Sequence, residues 1–481
     1  MENKKEKLFQ EFPPTSPKTW EEKIIADLKG KDYDSTLIWK TIEGFNLKPH
    51  YTANDVAKNN AIPGQFPYRR GTKFTNNTWE ICQNISNNKE ALEALMCGVT
   101  ALNFSDSDSE LDALLNEILF NIVSTNFSGN APEETLLALV NEANKRNYPA
   151  NTVKGCLGFD PLGNLTITGN WADSKQEDLK RATDLIIKTT KELPMYRAIN
   201  INGQHFHNAG ASITQELACS LAQGNEYLVA ATDAGISIDD ASAKLQFTFA
   251  MGPNYFMEIA KLRAARMLWA RIVEQYNPEH DCSHNTYIHC TTSKWNAAIY
   301  DPHVNILRAT TQAMSAIIGG CNSLAVIPFD SAYKNANEFS SRIARNVQLI
   351  LQEESYLDKI ADPAAGSYYV EVLTDQIAAE AWKQFQEIEA NGGFITGLEK
   401  GTVQSSIEIT AKQKSAAVAS GELVLLGINK YPNSTEDMAK KVELVENTNG
   451  LETPTAIAPL KTFRAAEALE KERLEAEVKH G

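Results

Sequence analysis

Arg197-Ala-Ile-Asn-Ile-Asn-Gly-Gln-His-Phe-His-Asn-Ala-Gly-Ala211 opens a stretch, running on to Tyr227, in which the hydrophobic period changes once. Ile199 and Ile201 alternate with asparagines, the period-two pattern of a strand. Gly203 ends that pattern, and Gln204, His205 and His207 lie just beyond it. From Ala209 the spacing becomes helical, with Ile213, Leu217 and Leu221 on one face and Ala218 and Cys219 beside them. A strand, a polar turn and a helix follow one another, and in α/β folds ligands meet the chain at such strand-end turns. Gln204 and His205 are therefore candidate site residues, although a histidine at this point is equally a hydrogen-bonded structural residue.

The same alternation extends in both directions. Runs of strand length fall near 79–84, 98–104, 118–126, 152–158, 198–204, 244–250, 285–291 and 322–328. Helical patterns lie between them at Lys89–Cys97, Glu133–Arg146, Leu179–Leu193, Tyr255–Glu274 and Val304–Ile318. Eight strand–helix units predict a parallel (β/α)8 barrel, the TIM-barrel fold. For the third unit, Ile118–Val123 continuing the preceding helix is the alternative. A doubly wound open sheet is the alternative for the whole, but it would want a glycine-rich phosphate turn after an early strand, and none is present.

Composition bounds the function. With 481 residues and 43% hydrophobic content, the chain can bury a large core. A net charge of -15 argues against nucleic acid or an anionic membrane surface as a partner. No apolar run approaches the ~20 residues of a membrane span. The first residues lack the apolar stretch of a signal peptide, and seven scattered cysteines read as reduced thiols. A cytoplasmic protein is expected.

Around the predicted barrel (51–430), residues 1–50 read as an arm and 431–481 as a C-terminal linker region. Phe12, Pro13, Pro14 and Pro17 hold the start of the arm extended. Thr19 caps a predicted helix to Leu28, with Trp20, Ile24, Ile25 and Leu28 as its apolar stripe. Pro63-Gly-Gln-Phe-Pro-Tyr-Arg-Arg-Gly71 is a fixed loop. Arg342 and Arg345 share a helix face. Asp362-Pro-Ala-Ala-Gly-Ser-Tyr-Tyr-Val-Glu371 reads as a turn and an extended segment, Leu423–Gly427 as a short strand, and the tail from Phe463 as a solvated, charge-rich helix.

Ile201-Asn-Gly-Gln-His-Phe-His-Asn-Ala-Gly-Ala211 resembles the strand-end motif of the adenosylcobalamin-dependent methylmalonyl-CoA mutases. The Pro63–Gly71, Arg342–Asn346 and Asp362–Glu371 segments resemble that family as well, so the resemblance spans about residues 12 to 475. It implies a mutase-like barrel, an N-terminal arm that packs on a partner subunit, and isomerisation of succinyl-CoA and (R)-methylmalonyl-CoA in propionate metabolism.

Set against the family's catalytic pattern, the strand ends are substituted. Where the first strand would carry Arg-Gln-Tyr-Ala-Gly, this chain has Cys82-Gln-Asn-Ile-Ser86, so Asn84 replaces an aromatic ring and a cation is missing. Gly155-Cys-Leu-Gly-Phe-Asp-Pro-Leu-Gly163 brings no substrate arginine to the fourth strand end and resembles the family's small, non-catalytic subunits. At the fifth, His205 is kept but Gln204 stands for the tyrosine. At the seventh, His289 is kept and Thr291 stands for a glutamine. After the eighth, Phe329-Asp330 survives behind Val326-Ile-Pro328.

The resemblance thus implies a degenerate site (Asn84, Gln204, His205, His289, Thr291), with no cofactor or metal expected in this chain. Adenosylcobalamin is expected in a partner, the catalytic large subunit of a heterodimer. A divergent acyl-CoA mutase using Gln204 and His205 is the rival, and a barrel assisting cofactor loading would need a nucleotide site that is not found. His280-x-Cys282-x-His284 with His289 and Cys290 lacks the longer, paired spacing of zinc sites and reads as a polar loop. Asp301-x-His303 has Ile306 where a cobalt-ligating motif would have glycine, and is rejected as a cobalt ligand.

Overall fold

The computed structural model describes residues 11–12, 15–57, 61–105, 111–129, 131–443 and 455–480. Eight parallel strands close into a barrel: β1 (Glu80–Ile85), β2 (Ala101–Ser105), β3 (Ser124–Ser128), β4 (Gly155–Phe159), β5 (Tyr196–Asn202), β6 (Leu245–Met251), β7 (Tyr287–Thr292) and β8 (Ser323–Ala325). Closure is made by β8, where Ser323 pairs with Glu80 on one side and His289 on the other. All seven residues of β6 are buried, as a parallel strand covered on both faces requires. Outside it lies helix Tyr255–Glu274, whose Trp269 meets Phe247 edge-on at 4.8 Å. That helix is covered in turn by helix Tyr368–Ala390, which explains why it is buried nearly all round, charged residues included.

The strand end that begins this reading is built as its period suggests. β5 gives way at Gly203 to a short helix, Gln204–Asn208, and then to helix Ile213–Asp233. Ser212 and Gln215 form a reciprocal capping box at the start of the long helix. The arm reaches the same place: the buried Glu43 carboxylate accepts the Thr214 N–H at 3.0 Å. An anion there meets the positive end of the helix dipole.

Several boundaries differ from expectation, each for a local reason. Gln204 is the first residue of a helix rather than the last of a strand. Ile118–Val123 is neither strand nor helix: Ile122 and Val123 both donate to the Leu119 carbonyl in a turn, and β3 starts at Ser124. β8 stops at Ala325, because Pro328 has no N–H and the Ile327 N–H goes to the Thr292 hydroxyl at 2.9 Å. Tyr368–Glu371 is helical; Gly366, at φ +82°, turns the chain, and Leu373, Ile377, Ala381 and Phe385 continue a helical stripe that overrides the β-preference of Tyr-Tyr-Val. Leu423–Gly427 is a turn, since the Asn429 side chain takes the Leu425 N–H at 2.7 Å and competes with a ladder.

At the termini, Ser16 rather than Thr19 caps the arm helix Pro17–Asp27, with Pro17 in its first position. Pro13 and Pro14 lie outside the described residues. The tail is not solvated throughout. Glu470 on helix Glu467–His480 is buried and accepts the Ile299 N–H at 2.7 Å, and Arg473 lies 3.8 Å over the Tyr300 ring. Residues 455–480 cross the carboxyl-terminal rim of the barrel, touching loops after β4, β5 and β7. Among the described residues no helix is long and apolar enough to cross a membrane, and all seven cysteines are free.

Candidate functional site

The odd strands meet inside the barrel in one layer near its amino-terminal end. The Tyr287 hydroxyl (β7) donates to Glu80 (β1) at 2.6 Å, and the Ser124 hydroxyl (β3) donates to the same carboxylate at 2.6 Å. Lys154, just before β4, adds an ion pair to Glu80 at 3.2 Å. The Arg197 guanidinium (β5) stacks on the Tyr287 ring at 3.6 Å and donates to Gln246 at 2.9 Å. Such four-residue layers from alternate strands fill barrels of this kind, but here the filling is charged and cross-bonded. A bulge makes it fit: the Ala198 and Ile199 N–H groups both go to the Lys244 carbonyl, which puts Arg197 and Asn200 on the same inner face. Asn200 then accepts from Gln246 at 3.2 Å and from Thr248 at 2.6 Å.

Above this floor stand the residues singled out from sequence. By strand alternation His289 and Thr291 share the inner face with Tyr287, and Asn84 shares it with Glu80. The His289 Nδ1 lies 3.1 Å from the Ser323 hydroxyl, and burial pushes its imidazole down to about 4. Asn84 is exposed and accepts from Asn103 at 2.8 Å. Thr291 is buried opposite Ala250 and Ala325. Past the end of β5, His205 is also pushed down to about 4 by burial. Among the described residues neither Gln204 nor His205 has a side-chain hydrogen-bond partner. The fold therefore places all five at the carboxyl-terminal half of one barrel, as neutral groups.

The strongest network at this end uses residues the sequence reading passed over. His207 Nε2 lies 2.7 Å from the Ser293 hydroxyl, and its Nδ1 is 3.7 Å from Glu216. Lys261 is fully buried between Glu216 (2.8 Å) and Glu258 (2.6 Å), and also donates to the Ala250 carbonyl at 2.6 Å. Burial would raise the Glu216 carboxyl, but Lys261 beside it wins and holds it below its ordinary value. Glu216 and Glu258 receive the Ala250 and Gly252 N–H groups, at 3.2 and 2.9 Å, so the cluster clamps the end of β6. A sequence signal existed: Glu258 and Lys261 stand three residues apart among Met257, Ile259, Ala260 and Leu262, where burial demands pairing.

Asp160 plays a comparable part after β4. Its carboxylate accepts from Tyr227 (2.7 Å), Gln223 (2.6 Å), the Gly163 N–H (2.9 Å) and the Asn202 N–H (3.1 Å). Burial nonetheless raises it to about 6. Gly158, at φ +71°, lets β4 approach β3 so closely that an added Cβ would lie 1.9 Å from the Phe127 carbonyl. The Gly155–Gly163 stretch therefore joins β3, β4, β5 and helix Ile213–Asp233, and no cation enters the barrel from it.

The two metal-like patterns are accounted for by other contacts. His280 and Ser283 fold onto Asp239, whose carboxyl is drawn down to about 2, first by the Ser283 hydroxyl. His303 stacks on Phe329 at 5.3 Å and the Asp301 N–H goes to Glu436 at 2.7 Å, with His303 itself exposed. Among the described residues there is no group of three or more metal-ligating side chains.

Residues 87–478 match a family model described as methylmalonyl-CoA mutase. The chain is 38% identical to the methylmalonyl-CoA mutase small subunit of Porphyromonas gingivalis, over 99% of this chain and 79% of that one. It is 31% identical to the methylmalonyl-CoA mutase large subunit of Streptomyces virginiae, covering 88% of this chain and 63% of that one. To the human mitochondrial methylmalonyl-CoA mutase it is 32% identical, covering 92% of this chain and 64% of that one.

Proposed function

The chain belongs to the methylmalonyl-CoA mutase family, and we propose that it is the small, non-catalytic subunit of that enzyme. Its partner in the heterodimer is then a homologous, catalytic large subunit, which binds adenosylcobalamin and interconverts succinyl-CoA and (R)-methylmalonyl-CoA. This chain stabilises the partner by mass action, and both work in the cytoplasm.

The observation that carries this reading is the barrel interior. A CoA-linked carboxylate needs fixed cations and donors. The two cations of the floor, Lys154 and Arg197, are engaged by Glu80, Tyr287 and Gln246. The strand-end positions above them carry Asn84, Gln204, His205, His289 and Thr291, none of them a fixed charge. Co-purification from the native cell tests the proposal. A stoichiometric large subunit should come with the chain, and cobalamin absorbance should follow that subunit when the two are separated. Turnover of methylmalonyl-CoA by this chain alone would overturn it.

One observation favours the rival, a divergent acyl-CoA mutase: the Gln204 and His205 side chains have no hydrogen-bond partner among the described residues. Titration of the isolated chain with acyl-CoAs separates the readings, since the rival requires saturable binding that Gln204→Ala weakens.

A further inference from the structure

Outside the barrel, the Pro63–Gly71 and Asp362–Glu371 segments converge with helix Tyr255–Glu274 on one cluster of charges. Arg69 donates to Glu371 at 2.8 Å and also pairs with Asp375. Arg70 donates to Asp362 at 2.9 Å. Arg263 pairs with Asp362 and with Glu371, the latter at 2.8 Å. Three arginines and three carboxylates thus balance one another. Two further cations beside them have no carboxylate partner among the described residues. The Arg266 guanidinium, 1% exposed, reaches only the carbonyls of Leu262, Gly319 and Gly320, and its Nε is buried without a partner. The Lys73 ammonium donates to the Cys321 carbonyl at 2.7 Å and more weakly to Asn77.

Between them lies a cavity of about 10 Å³ lined by four cations, Arg70, Lys73, Arg263 and Arg266, and by one carboxylate, Asp362. Helix Val304–Ile318 ends here, and its dipole offsets only about half a charge; the Gly319 and Gly320 carbonyls are already taken by Arg266. A buried cation without an ion-paired carboxylate is costly; Arg266 is buried in this way, and Lys73 is half-buried. Burial lowers Lys73 to about 8 and Arg266 to about 10, the opposite of Arg69, which its carboxylates hold above its ordinary value.

We propose that this cavity is a binding site for one small monovalent anion of chloride size, held by Lys73, Arg70 and the guanidinium of Arg266. The space admits about one water-sized sphere, which excludes phosphate and larger oxyanions, and the excess positive charge selects an anion over water.

Crystals of the full chain grown in sodium bromide test this directly: an anomalous peak is expected within hydrogen-bond reach of Lys73 Nζ and the Arg266 guanidinium. In solution, replacing gluconate by chloride at constant ionic strength should raise the unfolding midpoint by about 1–3 °C. Lys73→Gln should remove that difference. If Lys73→Gln does not fold, the bromide map of the unaltered protein still decides. Density without an anomalous signal, or equal midpoints in chloride and gluconate, would overturn the proposal.

Discussion

The mouth of the barrel and the belt around its outside are built on opposite terms. At the mouth, Gln204 and His205 are neutral and unpartnered, and Asn84 is exposed. In the belt, Arg69, Arg263, Asp362 and Glu371 are buried or nearly so and each is bonded more than once. Both regions are made of segments that resemble one family. The mouth carries neutral side chains at these positions, whereas the belt pairs its arginines with carboxylates.

The largest effect should come from the belt. Arg263→Ala strands Asp362 and Glu371 without one of their cations, and breaking a buried ion pair from one side costs about 3–5 kcal/mol. Urea unfolding measures this, and a loss under ~1 kcal/mol would erase the distinction between belt and mouth. The floor of the barrel comes next. Arg197→Ala removes a desolvated stack on Tyr287 and a hydrogen bond to Gln246, and should cost about 2–3 kcal/mol.

Titration sharpens the contrast in a different way. His289 is depressed from 6.5 to about 4 in the folded chain. The native state therefore binds fewer protons than the unfolded one between those values, and stability present above pH 6.5 is lost as pH falls toward 4. Asp160 is raised from 3.8 to about 6, so its contribution has the opposite sign and grows as pH falls from 6 to 4. These two nearly cancel, but His205 is depressed to about 4 as well, so the histidines outweigh Asp160 and the net loss across this window should be about 3–4 kcal/mol. Denaturant midpoints between pH 7 and 4 should fall less steeply for His289→Asn and more steeply for Asp160→Asn; parallel curves would refute the assignment. The smallest effects belong to the mouth: Asn84→Ala and Gln204→Ala should each change stability by under about 0.5 kcal/mol. Neither should alter pairing with a large subunit in a pull-down. A larger loss from either would mean that the mouth is braced after all.

Much of the frame was legible in the order of residues. The period change at Gly203 located a strand end, and the helices Tyr255–Glu274 and Val304–Ile318 fall where their apolar spacing put them. Boundaries failed where a side chain or a missing N–H overruled the pattern, as Asn429 does at Leu425 and Pro328 does after β8. The strand-end residues were legible as positions, but their surroundings were not. His205 and His207 are two residues apart and look alike in sequence; only His207 finds Ser293 and Glu216.

Periodicity is local, so the sequence alone determined eight strand–helix units and the family resemblance. Charge pairing is not local. Glu80 meets Tyr287 across 207 positions and Arg69 meets Glu371 across 302. Only closing the barrel brings such partners together, and only then does it become clear which charges are spent on the frame and which are left over. Tertiary structure therefore decided that the barrel floor is a bonded layer and that Lys73 and Arg266 share a cavity. A buried charge is stable only next to its opposite, and a chain folded in three dimensions is what supplies or withholds that neighbour.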